Sequence, residues 1–244
     1  MAAIVGPFAM AGVTGSPLWI AAPVLLTLVY VAARETPRCL AYYRSLWPTS
    51  WLAALVPALG ALVVTVVIGG ALSLLPPDQP LNGSLGTVFN VGGDAGANSF
   101  AILLVTPWLA LAYVPLAVLA LPILAWWEED IFRRGTTGVA SACTRSALFG
   151  LLHVTAGVSL GICIALGCAG FVFTMVYWRA MRDPRAAEHR TALPAWVRTR
   201  ALGHAQGRRA AEQYGVYRAT QAHLVYNAIG VTVILILAYV PSLP

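Results

Sequence analysis

Long apolar runs alternate with short polar interruptions along the whole chain. The apolar runs cover, in chain order, residues 18–33, 47–75, 100–127, 146–178 and 217–240. The hydrocarbon core of a bilayer is about 30 Å thick, and a helix needs about 20 mainly apolar residues to cross it. Because the flanks of 146–178 are both basic, this run must supply two crossings. The pattern therefore predicts an all-α, polytopic integral membrane protein with about six transmembrane helices.

The two crossings within 146–178 have little room. A turn near residues 156–159 returns the chain as a fifth span from Leu160 to Trp178. Either the preceding helix is short, or His153 lies near a turn at mid-membrane depth. The predicted second and third spans are separated by a stretch, 76–99, that is rich in Gly, Pro and Asn and suits an external loop.

Composition supports the membrane class and adds an orientation. The chain is 59% hydrophobic and 10% charged, whereas soluble proteins average about 25% charged residues. Nine of the fifteen arginines lie between Arg179 and Arg218 with only three acids. Nine minus three gives +6, the net charge of the whole protein. A basic excess confined to one loop indicates a cytoplasmic loop and not a nucleic-acid surface, although a docking patch for anionic lipid or an acidic partner stays open.

These observations give the domain organisation and the expected location. Residues 1–100 form an N-terminal two-helix membrane region with an external loop, and 101–244 form a second unit with an arginine-rich cytoplasmic insertion at about 179–215. Six spans with that insertion inside leave both termini external. The absence of lysine and the abundance of alanine suggest a bacterial cell membrane.

The sharpest polar interruption is residues 126–135, which read Trp-Trp-Glu-Glu-Asp-Ile-Phe-Arg-Arg-Gly. A charged side chain near bilayer depth costs at least about 2.5 kcal/mol, so such groups pair or carry function. Glu129 and Arg133 are one turn apart and can pair. Glu128 points about 100 degrees around the helix from Glu129, so the two carboxylates are not expected to serve one spot on a regular helix. Gly135 is a natural helix end.

Two further polar pairs lie on later helices: Phe149 with His153, and His223 with Asn227. Each has a simple interpretation, since a lone membrane histidine usually satisfies an interhelical hydrogen bond and Phe149 suits packing. The third helix is expected to end near Arg134, about six residues after Glu128, and the last helix to begin near Gly215, about eight residues before His223. At 1.5 Å per residue both fall roughly 9–12 Å below the same surface. We expect these groups to converge at one depth.

Taken together, Glu-Glu-x-x-x-Arg (residues 128–133), Phe-x-x-x-His (149–153) and His-x-x-x-Asn (223–227) resemble the three motifs of the CAAX prenyl protease and bacteriocin-processing family. This family, also called CPBP or Abi, consists of intramembrane endopeptidases. The resemblance covers about residues 121–239 and leaves the first two helices outside. The chain departs from the family's pattern where the arginine-rich insertion replaces a short turn between the last two helices.

The resemblance implies an enzyme that hydrolyses a peptide bond near the cytoplasmic membrane face. Glu128 would be the base that activates water, with His153 holding and polarising it. His223 and Asn227 would stabilise the oxyanion, a role in which donors are worth about 10²–10³ in rate. Glu129, Arg133 and Phe149 would support these groups. The substrate would be a membrane-associated or hydrophobic peptide, with a bacteriocin or another secreted peptide favoured over a prenylated protein.

The sequence leaves a zinc-dependent reaction and two functions of a different class open. Glu128, His153 and His223 are the right types and number for a catalytic zinc with an open fourth position, although no His-Glu-x-x-His pair is present. A metal-free reaction with no cofactor is favoured because Asn227 suits an oxyanion site better than a metal. The chain could also be a non-catalytic membrane scaffold or bacteriocin self-immunity protein that binds partners through the arginine-rich loop. A proton-coupled transporter is the last possibility, since membrane carboxylates and histidines can relay protons.

Overall fold

The computed structural model describes residues 18–46, 51–74, 107–153, 158–183 and 208–239. This part of the chain forms six helices and no strand, which confirms the predicted all-α class. The helices are α1 (Leu18–Leu46), α2 (Trp51–Ser73), α3 (Pro107–Arg133), α4 (Val139–Leu152), α5 (Leu160–Met181) and α6 (Arg208–Tyr239).

Two of these helices are long and apolar enough to cross a membrane. They are α2, over Trp51–Leu72, and α5, over Leu160–Met181. No charged residue interrupts the 23 residues of α2. Membrane crossing, by these two helices or by the others, stays a prediction.

α1 and α6 extend furthest beyond their predicted apolar spans. α1 continues through Arg34 and Arg38 to Leu46. α6 begins at Arg208, nine residues before the predicted apolar run that starts at residue 217. The physical reason is burial: Tyr214 and Val216 pack in one cluster with Trp126 and Tyr177.

α4 has 14 residues, which at 1.5 Å per residue makes it about 21 Å long. This length confirms the expectation that one of the two helices in 146–178 is short. α4 begins at Val139, before Arg145, and ends at Leu152, and the backbone N–H of His153 caps it. α5 begins at Leu160 as predicted and runs three residues past Trp178.

The corner between α3 and α4 is fixed by side chains of α4 and α5. Gly135 has φ +73°, a left-handed conformation that residues with a side chain rarely adopt, and it confirms the predicted helix end. Arg145 Nη1 donates to the carbonyl of Arg134 at 2.6 Å, so a guanidinium satisfies the end of α3. Trp178 Nε1 donates to the carbonyl of Thr136 at 2.9 Å and ties α5 to the same corner.

α5 occupies the centre of the described fold and packs against α2, α4 and α6. α6 also packs against α2 and α3, and α1 packs along α3. The end of α3, the inner face of α4 and the middle of α6 therefore surround one side of α5. The predicted polar motifs lie on these three surrounding helices.

Candidate active site

Glu129 and Arg133 form a fully buried ion pair on the last turns of α3. Arg133 Nε donates to Glu129 Oε2 at 3.0 Å, and both side chains are 0% exposed. The guanidinium carbon of Arg133 also lies 4.8 Å from the ring centre of Phe149, a cation–π distance. Within the described residues, Nη1 and Nη2 of Arg133 have no hydrogen-bond acceptor. The predicted pair is thus present, and Phe149 covers its cationic end.

His223 of α6 faces both adjacent glutamates of α3. Its Nδ1 lies 2.9 Å from Glu129 Oε1, and its Nε2 lies 3.5 Å from Glu128 Oε2. The expectation that the two carboxylates cannot serve one spot therefore needs revision. The two carboxylates diverge around the helix, but the two nitrogens of the imidazole lie at different positions of the ring. One ring can therefore face both carboxylates.

The hydrogen-bond partners of His223 define where its protons lie. An ionised carboxylate only accepts hydrogen bonds, and Glu129 is already paired with Arg133. His223 Nδ1 therefore donates to Glu129, and Nε2 is the ring position that faces Glu128. With His223 protonated, the two glutamates, Arg133 and the imidazole sum to zero charge. With His223 neutral, the group carries one negative charge beside a free Nε2 lone pair.

Exposure distinguishes the two glutamates. The Glu128 side chain is 33% exposed, whereas the side chains of Glu129 and His223 are 0% and 3% exposed. Only Glu128 can contact a water molecule or a substrate and also face His223. Glu129 is held by Arg133 and His223, so it can orient the imidazole but cannot reach a substrate.

His153, at the end of α4, packs against the edge of Phe149 with ring centres 4.8 Å apart. Its Nδ1 lies 2.8 Å from the carbonyl oxygen of Phe149. A carbonyl only accepts, so Nδ1 carries the proton and the neutral ring offers Nε2 as an acceptor. Phe149 connects the two histidines, since its ring centre is 5.6 Å from that of His223.

Asn227 lies one turn beyond His223 on α6 and is partly buried. The structure thus joins Glu128, Glu129, Arg133, Phe149 and His223 by direct contacts. It joins His153 through Phe149 and brings Asn227 near only by its helical position, one turn from His223.

Two aromatic residues belong to this group although neither is a defining residue of a motif. Phe173 of α5 stacks on His223 with ring centres 4.8 Å apart and planes 20° from parallel. Tyr226 lies 6.3 Å from His223 and packs edge-on against Phe173. Tyr226 is three residues from His223, so helical spacing could have identified it. Phe173 lies in a uniformly apolar helix and carried no local signal.

A catalytic zinc requires three ligands around one point. Among the described residues, no group of three or more His, Cys, Asp or Glu side chains is arranged to hold a metal ion. The set Glu128, His153 and His223 therefore does not fit a zinc ion in this structure.

Comparison with protein-family models, with curated proteins and with solved structures finds no match to this chain.

Proposed function

We propose that this protein is a polytopic membrane endopeptidase similar to the CPBP family, which hydrolyses a peptide bond of a hydrophobic or membrane-associated peptide. The observation that carries the proposal is the contact of His223 with both glutamates of the first motif. The residue types of three separate motifs matter only if they meet in space. His223 of the last motif is in contact with Glu128 and Glu129 of the first. Phe149, from the remaining motif, lies between the two histidines.

The membrane setting is supported by the surface of α2. Its large apolar side chains point outward: Val56, Val63, Val66 and Val67 are 60–74% exposed. A continuous exposed apolar face of this kind is rare on soluble monomers and indicates contact with lipid or a partner. With the arginine-rich stretch on the cytoplasmic side, the end of α3 and Glu128 lie near that side.

The reaction begins with Glu128. Its carboxylate takes a proton from a water molecule, while the oxygen of that water forms a bond to the carbonyl carbon of the substrate peptide. Proton transfer to a positioned base typically contributes about 10²–10⁴ in rate. His153, whose free Nε2 is an acceptor, orients the second proton of the same water.

The negative charge then develops on the former carbonyl oxygen. His223 Nε2, when protonated, and the amide N–H of Asn227 are the donors on α6 that stabilise this oxyanion. Glu129 and Arg133 keep the imidazole in the orientation that makes this possible. When the tetrahedral intermediate collapses, the carbon–nitrogen bond breaks and Glu128 returns its proton to the leaving amine, which restores the carboxylate.

The test uses the full chain in lipid nanodiscs and a synthetic library of hydrophobic peptides that includes one farnesylated CAAX peptide. New peptide ends are identified by mass spectrometry. Glu128→Gln should lower the cleavage rate by about 10²–10⁴ because it removes the base. Asp130→Asn is the matched control: Asp130 lies on the same helix but pairs with Arg134, so cleavage should persist.

Equal cleavage by the wild type and Glu128→Gln would overturn the proposal, and so would the absence of any cleaved peptide. A scaffold protein predicts the reverse pattern. In that case deletion of residues 183–212 abolishes the cellular function, whereas Glu128→Gln leaves it intact.

A further inference from the structure

The imidazole of His223 depends on its ring plane to face two carboxylates at once. A rotation about its last side-chain torsion turns the ring out of this plane and moves both nitrogens at once, because both belong to the same rigid ring. Such a rotation would remove the contacts to Glu129 and Glu128 together. Whatever fixes the ring plane therefore fixes both contacts.

The side chain that lies parallel to this plane is Phe173. The two rings stack at 4.8 Å and 20°, and Phe173 is 0% exposed. Phe149 meets the same imidazole edge-on, at 80°. A stacked ring on one side and an edge on another leave the imidazole little freedom to turn, since protein interiors are close-packed.

Phe173 is itself held from α2. Tyr226 packs edge-on against Phe173 with ring centres 5.7 Å apart, and its hydroxyl lies 3.0 Å from Thr65 Oγ1. Thr65 already donates its only hydroxyl proton to the carbonyl of Ala61 at 2.9 Å. Tyr226 must therefore be the donor in its bond to Thr65. Ala58 and Ala61 of α2 lie in the same buried cluster as Phe173 and Tyr226.

We propose that Phe173 is a positioning residue that holds His223 in register with the two glutamates, and that the Thr65–Tyr226 hydrogen bond braces it from α2. This inference rests on the proposed function for its catalytic meaning. It also makes α2, which lies outside the motif-bearing region, a structural part of the site. The N-terminal region then contributes to the chemistry through α2.

The first test observes the imidazole directly, in the full chain in nanodiscs with ¹⁵N-labelled histidine. The chain has four histidines, and the His223 signals are those that disappear in His223→Gln. In the wild type, His223 should show one persistently protonated Nδ1. In Phe173→Leu the difference in ¹⁵N chemical shift between the two ring nitrogens should fall by at least half. The two shifts then approach the averaged values of a mobile imidazole.

Three further variants separate positioning from general packing. Phe171→Leu makes the same change two residues away, about 200° around α5, and should leave the His223 signals unchanged. Thr65→Val keeps the shape but removes the hydroxyl that accepts from Tyr226, and should weaken the wild-type signature. Thr65→Ser keeps the hydroxyl and should retain the wild-type signature of His223. If Phe173→Leu does not fold, the Thr65 pair still decides the question.

Unchanged His223 signals in both Phe173→Leu and Thr65→Val would overturn the positioning inference. If the His223 signals are the same in all variants but peptide cleavage requires Glu128, the proposed function stays intact. Conversely, the expected signals without any cleavage would remove the proposed function and keep the positioning role. With a cleaved peptide in hand, Phe173→Leu should lower kcat at least tenfold with KM unchanged, and Phe171→Leu should not.

Discussion

The buried Glu129–Arg133 pair permits a prediction of stability that does not depend on any substrate. Replacing one member of a buried ion pair typically costs about 3–5 kcal/mol, because the other charge is left without compensation. Replacing both members by apolar residues of similar size is often close to neutral. The three variants to compare are Glu129→Met, Arg133→Met and the double variant.

The surroundings set the order of the three variants. Without Arg133, Glu129 keeps its bond to His223, so Arg133→Met should cost about 3 kcal/mol. Without Glu129, the guanidinium keeps only its contact with Phe149, so Glu129→Met should cost about 5 kcal/mol. The double variant leaves only the His223 Nδ1–H without its acceptor, which costs about 1–3 kcal/mol.

The assay is thermal unfolding in detergent followed by tryptophan fluorescence, since Trp126 lies buried on the same turn of α3. For domains of 150–250 residues, 1 kcal/mol corresponds to a shift of about 2–4 °C. Glu129→Met should therefore lower the Tm by about 10 °C or more, and the double variant by clearly less. A double variant whose loss equals the sum of the two single losses would refute the reasoning, because uncoupled sites are additive.

Two further predictions concern packing and accessibility. A Cβ on Gly150 would lie 2.1 Å from the carbonyl oxygen of Cys163 and 2.6 Å from the backbone nitrogen of Gly167. Gly150→Ala should therefore push α4 away from α5 and lower the Tm by about 5 °C or more. An unchanged Tm would contradict the close contact between the two helices. Cys143 is exposed, whereas burial raises the pKa of the Cys39 thiol to about 11. A maleimide reacts with the thiolate. At neutral pH it should label a Cys143-only variant in the folded protein, but a Cys39-only variant only after denaturation. Equal labelling rates of the two folded variants would show that Cys39 is accessible.

Local geometry was sufficient to predict some of the site. The pairing of Glu129 with Arg133 and of Phe149 with His153 follows from their spacing of four residues on a helix. The helix end at Gly135 follows from the special backbone freedom of glycine. These features depend on neighbours in the chain, which the sequence displays directly.

The rest of the site depends on contacts between helices, which spacing does not encode. The depth estimate placed His223 by assuming that α6 begins near Gly215, but α6 begins at Arg208 because its first turns are buried against α3 and α5. Phe173 could not be distinguished from the apolar residues around it. The two-sided contact of His223 also required the relative rotation of α3 and α6, a property of tertiary packing.

The shortness of α4 has a consequence for the surrounding lipid. In the proposed membrane setting, a helix about 21 Å long is about 9 Å shorter than the hydrocarbon core of a typical bilayer. Bilayers adapt to short elements by thinning locally, at a modest cost per ångström of mismatch. The outer leaflet beside α4 would therefore be drawn inward toward His153. Because Glu128 lies near the opposite, cytoplasmic side in the proposed orientation, thinning of this kind would reduce the apolar depth that separates the site from the outer surface.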